Sequence, residues 1–203
     1  MTAVASVEPR ERAASGEKPD GVRFVPGQPD MWAFVLFEAF VFTSYFTVYV
    51  FRRTQSPDLF LQSQAHLNLR VGVFNTLVLL VSSWSVARCV QAARDGSFRT
   101  ALNNAYLTML FGFLFLVSKV LEWATEIEQG FSLTTDEFFS FYYFLTAIHF
   151  LHLLIGFVLL GVAVYQIKSP ARRSRELVET CATYWHTIDF LWVLIFALLY
   201  VMR

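Results

Sequence analysis

The chain alternates long apolar runs with short polar intervals, and five runs are long enough to cross a bilayer. They are Met31 to Phe51, Val71 to about Ala92, Asn103 to Trp123, Phe138 to Ile167 and Cys181 to Met202. Each reaches about 30 Å, the thickness of the hydrocarbon core, as an α-helix rising about 1.5 Å per residue. Strands of a membrane barrel would appear as short alternating segments instead, a pattern this sequence lacks. All six prolines fall outside the five runs. The pattern therefore predicts continuous helices and weighs against a transporter built on broken ones. The expected fold is all-α, a polytopic membrane bundle of five transmembrane helices over residues 31–203. Residues 1–30 carry Pro9, Pro19, Pro26 and Pro29 among mixed charges, with no signal-peptide core, and read as a disordered cytoplasmic tail.

Composition supports a lipid-embedded chain: 56% hydrophobic, 17% aromatic and 16% charged residues, with a mean hydropathy of +0.48. A soluble domain of 203 residues could not hide that much apolar surface. Sixteen basic and sixteen acidic residues cancel, which gives no basis for nucleic-acid binding. Their distribution is informative. Arg10, Arg12, Lys18, Arg23, Arg88, Arg94, Arg99, Lys168, Arg172, Arg173 and Arg175 fall on the side of the N-terminus, against Arg52, Arg53, Arg70 and Arg203 across the membrane. Positive loops stay in the cytoplasm, so the N-terminus is expected inside and the C-terminus outside. The interval between the third and fourth spans fits an outer loop, holding Glu126, Glu128, Asp136 and Glu137 and no basic residue. Cys89 and Cys181 then lie near cytoplasmic helix ends, where reduced, packed thiols are expected.

Trp32, Tyr184 and Trp185 fall near inner boundaries, and Tyr49, Trp123, Tyr142 and Tyr200 near outer ones, positions that read as interfacial anchoring. Ionisable residues inside the spans are costly in hydrocarbon and must face protein. Glu38 lies roughly 10 Å inside the first span, His149 and His152 near the middle of the fourth, and His186 and Asp189 just inward of the middle of the fifth. These depths allow Glu38, His152 and Asp189 to form a buried polar cluster. Asn75, Thr76, Ser82, Ser83 and Ser85 extend polarity into the second span and read as packing residues.

The spacing of His149, His152, Gly156 and Ala163 makes one helix stripe, which is expected to pack on neighbouring helices; a proton relay or ligand site is the alternative. Haem ligation is disfavoured because His152 and His186 differ in height by about two turns, and a metal site would need further converging ligands. At the outer end of the third span, Lys119, Glu122 and Glu126 share a face and are expected to form a solvated helix end, with a docking patch or proton exit as the functional alternative. No catalytic motif is visible. A polar seam of Glu38, Asn75, His149, His152, His186 and Asp189 in a five-helix chain suits a subunit of a larger membrane complex.

Over residues 31–203 the chain resembles subunit III of the haem-copper cytochrome c oxidases. The resemblance runs in order through FVLFEAFVF, GVFNTLVLLVSSWSVARC, KVLEWATEIEQGF, FFSFYYFLTAIHFLHLLIG and ATYWHTIDFLWVLIFALLY. The longer form of that family has two further helices at its start. The five-span form, the EWATE block and Ala147 in place of a usual glycine are similar to the branch associated with nitric oxide reductase gene clusters. What the resemblance implies is an accessory subunit of an oxidoreductase complex in the cell (inner) membrane, with no catalytic centre of its own. It would support assembly, lipid environment and proton uptake of a partner in aerobic electron transport. Its partners would be the catalytic subunit I and subunit II, with haem and copper held there and none bound by this chain, and with membrane phospholipid as a candidate ligand. The family's carbodiimide-reactive glutamate matches Glu38. The family's lipid cleft uses the two helices absent here and is not carried over intact. Two other classes remain open from the residues themselves: a small b-type cytochrome using His149, His152 or His186, and a proton-permeation protein organised around Glu38 and Asp189.

Overall fold

The structure, a computed structural model, describes residues 29–169 and 174–202. It contains α1 (Pro29–Gln55), α2 (Pro57–His66), α3 (Leu69–Arg94), α4 (Phe98–Glu128), α5 (Glu137–Lys168) and α6 (Arg175–Phe196), with a wide π turn over Ala197–Val201 continuing α6. Among the described residues there is no strand. All the helices except α2 are long and apolar enough to cross a membrane, and the chain is a multi-pass membrane protein. The expected tail lies outside the described residues except for Pro29 and Asp30, which already belong to α1.

The four helices from α3 onward bury residues at alternating spacings of three and four, the repeat that keeps one stripe of a helix against its neighbours. On α4 the stripe runs Ala101, Ala105, Thr108, Gly112, Phe115, Lys119, Glu122 and Glu126. On α6 it runs Val178, Cys181, Trp185, Ile188, Trp192 and Ile195. Small residues at Ala101 and Ala105 of α4 and at Ala92 and Ala93 of α3 share a buried cluster and let these two helices, the most extensively packed pair, approach closely. The opposite faces carry exposed apolar groups such as Leu110, Phe113 and Leu121, as lipid contact requires. Cys89 and Cys181 are free, buried thiols in a small apolar cluster built from α3, α4, α5 and α6.

The centre of the bundle is locked by one indole. Trp185 is fully buried and its ring lies between Gly112 of α4 and Gly156 of α5. Its N–H donates to Ser82 Oγ at 3.0 Å, and Ser82 donates onward to the carbonyl of Thr108 at 3.1 Å. One side chain thus ties four helices.

α1 is more peripheral. It turns Phe42 and Tyr49 inward and leaves Leu36, Phe37 and Phe40 exposed. The short α2, which the hydrophobic pattern does not reveal, fastens its C-terminal end. Phe60 is buried against Tyr49, Phe138 and Phe141, Arg52 pairs with Glu137 at 3.4 Å, and Ser63 donates to Asp136 at 2.6 Å. Asp136 also caps α5, accepting from the Phe139 amide at 2.8 Å. Asp136 and Glu137, expected in an acidic outer loop, are therefore structural partners. Glu126 and Glu128 are still within α4.

Candidate functional site

The polar residues of the spans form three separate groups rather than one seam. In the first, α1 meets α5: Glu38 Oε2 lies 3.3 Å from His152 Nε2. His152 Nδ1 is 2.8 Å from the carbonyl of Ile148, and because a carbonyl can only accept, Nδ1 carries a proton. A bond between Nε2 and the carboxyl then requires one proton between them, carried by either atom, and the pair is neutral overall in both cases. Phe42 packs its ring edge-on to the imidazole, and Tyr184 donates to the carbonyl of His152 at 3.2 Å.

The second group joins α3 and α6. Ser83 Oγ lies 2.7 Å from His186 Nδ1. Asp189, one turn further along α6, is 5% exposed. Ser83 is beside it as well, but the hydroxyl is in bonding geometry with His186, and neither carboxyl oxygen of Asp189 has a hydrogen bond. Asp189 therefore does not join Glu38 and His152 in the expected cluster. His186 is exposed on the outer surface of the bundle, about 16 Å along α6 from Arg175. That places an imidazole near the middle of the hydrocarbon layer.

The third group replaces the expected solvated helix end. Lys119 is completely buried, and Glu122 and Glu126 are nearly so. The Lys119 ammonium donates to Glu122 Oε2 at 3.1 Å, to Tyr142 Oη at 3.2 Å and to Tyr200 Oη at 2.8 Å. Tyr200 in turn donates to Glu122 Oε1. The rings of Tyr142, Trp192 and Tyr200 surround the ammonium at 4.6, 5.3 and 5.4 Å, so cation–π attraction adds to the ion pair. A carboxylate and two phenol oxygens in range supply the counter-charge and acceptors that a buried ammonium needs, so Lys119 turns inward rather than toward the headgroups. The wide turn after α6 buries Leu199 and Tyr200 in succession and brings the phenol to this cluster.

This geometry corrects the anchoring assignments for several aromatics. Tyr49, Tyr142, Tyr184, Trp185 and Tyr200 are all buried inside the bundle. Trp123 is partly buried and donates to Thr146 at 3.2 Å. The helical register could have signalled this, because Trp185, Trp192 and Leu199 fall on one stripe at intervals of seven. Of the predicted histidine stripe, His149, Gly156 and Ala163 line the core, whereas His152 turns to α1. His149 is enclosed by the rings of Phe115 and Trp192, and both of its nitrogens lack a hydrogen-bond partner. Asn75 is likewise buried, with its amide unpartnered. Thr76 accepts from Trp192 Nε1 at 3.1 Å.

These residues do not fit a haem or copper centre. Each imidazole has a different environment: a carboxyl and a carbonyl for His152, a serine for His186, and aromatic rings for His149. Among the described residues no three His, Cys, Asp or Glu side chains converge as metal ligands.

Comparison with known proteins adds a family. Residues 21–203 match the sequence model of the family described as Cytochrome c oxidase subunit III. The chain is 30% identical over 184 residues to a cytochrome c oxidase subunit 3 of Synechocystis, covering 87% of this chain and 78% of the relative. It is 27% identical over 172 residues to a cytochrome bo(3) ubiquinol oxidase subunit 3 of Buchnera aphidicola, covering 84% and 83%. A probable cytochrome c oxidase subunit 3 of Nocardia farcinica is 29% identical over 170 residues, covering 82% and 83%. Those last shares make the two chains nearly equal in length, so a short chain is not by itself a mark of the nitric oxide reductase branch.

Proposed function

Because this chain belongs to the cytochrome c oxidase subunit III family, we propose that it serves as the accessory, non-redox subunit of a respiratory haem-copper oxidase in the cell inner membrane. In this reading haem and copper reside in the catalytic subunit I and in subunit II, and supply the oxygen chemistry there. The residues of this chain orient helices and present a surface. The N-terminus is cytoplasmic, by the excess of basic residues on that side.

The observation that carries the reading is the outward position of His186, held by Ser83 on the exposed surface of α6. Hydrocarbon offers an exposed imidazole no further hydrogen bond, and leaving it bare there would cost several kcal/mol (about 2–7). A partner helix with a polar side chain at that depth removes the cost, which makes this the docking face for the catalytic subunit. The Glu38–His152 pair then serves to hold α1 on α5. Its contribution to proton uptake comes through helix position rather than through carriage of protons.

Affinity purification of the full chain from native membranes tests the reading. The expected result is a co-purifying partner with a haem Soret band that is absent from the isolated chain. His186→Leu should leave this chain folded while reducing recovery of the partner. A Soret band in the isolated chain, or proton flux through liposomes containing this chain alone, would overturn the assignment.

A further inference from the structure

The Ser83–His186 contact sits in an apolar patch shared by α3 and α6. Thr76 meets Trp192 and Ser83 meets His186, so the two helices run antiparallel. Leu80 of α3 and Phe190 of α6 therefore lie about one turn from the contact on the same side, 50% and 62% exposed. Thr183 and Thr187, before and after His186 on α6, donate their hydroxyls to carbonyls of that helix. The free edge of the imidazole is the hydrogen-bonding group this patch offers, and what it can bind depends on whether Nε2 carries a proton.

Ser83 and Asp189 decide that. Nδ1 of His186 is engaged by Ser83 Oγ at 2.7 Å. The same hydroxyl is beside the buried carboxyl of Asp189, and among the described residues no other ionisable side chain acts on either group. A net charge is costly at this depth, so the two hold either a carboxylate with an imidazolium or a carboxylic acid with a neutral imidazole. In the first case both ring nitrogens are protonated, with Nδ1 donating to Ser83 and Ser83 turned to the carboxylate. In the second, the acid O–H turns to the Ser83 oxygen, because a buried donor is left unpaired less readily than a carbonyl oxygen, and Ser83 then donates to Nδ1. Both arrangements put an N–H on Nε2, at the exposed edge of the ring. We infer that His186 is a hydrogen-bond donor to the catalytic subunit, and that the facing helix there meets it with a neutral carbonyl oxygen, from Asn, Gln or an opened helix turn, framed by apolar groups against Leu80 and Phe190. A carboxylate would bring a net charge, and a second donor would leave two protons facing each other. The inference rests on the docking face proposed above and specifies the chemistry of its partner.

Solid-state NMR of the lipid-reconstituted complex with nitrogen-15-labelled histidine reads the protonation of each ring nitrogen, and loss of a signal in His186→Leu identifies this residue. The expected result is an Nε2–H in the isolated chain and in the complex, with its proton resonance moved downfield in the complex as the new bond forms. His186→Gln, whose amide N–H reaches the same position, should recover the haem-bearing partner within about threefold of wild type. His186→Leu should lower recovery about tenfold, the scale of one buried hydrogen bond. An Nε2 without a proton in the complex, or an Nε2–H resonance identical with and without the partner, would overturn the donor contact while leaving the docking face in place. Failure of the wild-type chain to bring down any haem-bearing partner would instead defeat the docking face and this contact with it.

Discussion

Adding a single methyl group at Gly112 should disturb the central lock in a measurable way. A Cβ built there would stand 2.9 Å from Trp185 Cη2 and Cζ2, and 3.1 Å from Phe157 Cζ. Carbon contacts settle at about 3.5–4.0 Å, so the ring would need to retreat by roughly 0.6–1 Å. It has nowhere to go. On its far side the Cβ position of Gly156 is already 3.0 Å from Cε3 and Cζ3, and the N–H is held by Ser82. Overpacking of this kind costs about 1–3 kcal/mol, or roughly 5- to 150-fold in the folded-to-unfolded ratio. Replacing glycine by alanine also favours the helix itself, and Gly161→Ala isolates that gain because nothing lies within 4 Å of its Cβ position. The quantity to measure is the difference between Gly112→Ala and Gly161→Ala. Unfolding in mixed micelles of rising SDS fraction, followed by circular dichroism, gives both. Trp185→Phe should shrink the penalty of Gly112→Ala, because the smaller ring opens the slot, and the double variant should be less destabilised than the two single changes added together. Equal stability of the two alanine variants, or strict additivity with Trp185→Phe, would refute the lock.

Other outcomes follow from the remaining contacts. Lys119→Met should cost about 3–5 kcal/mol in the same assay, because it strands Glu122 without its cation; a loss below about 1 kcal/mol would mean that the buried pair contributes little. Glu38→Gln should be nearly silent, since its amide can donate to His152 Nε2. Glu38→Leu should cost about 1–3 kcal/mol by leaving that nitrogen unpaired, and should speed hydrogen exchange in α1. Asp136→Ala should cost about 1 kcal/mol and increase exchange at the Phe139 amide, because one side chain both caps α5 and accepts from Ser63.

The five spans were legible because the bilayer imposes a length and a polarity that composition reveals directly. Their ends were less so. α4 continues through Glu128 and α6 starts at Arg175, beyond the apolar runs, since helices continue past hydrocarbon wherever their polar residues have partners. The short α2 escaped notice because it is not apolar, although Ser56 followed by Pro57 is a helix-start signal. Glu38 and His152 were correctly matched in depth. Asp189 was matched in depth too, yet it faces α3, because height along the membrane normal says nothing about direction around a helix. The Lys119 cluster was misjudged for a related reason. Three charges on one helix face look solvated until Tyr142 and Tyr200 arrive from α5 and from the end of the chain, and no local pattern announces that convergence.

The indole lock draws on α3, α4, α5 and α6 and takes nothing from α1. Cohesion of the four-helix body and attachment of the first helix are therefore separable properties. When the protein is challenged, α1 should peel away first, taking Glu38 from His152, while the remaining bundle melts later as a single cooperative unit.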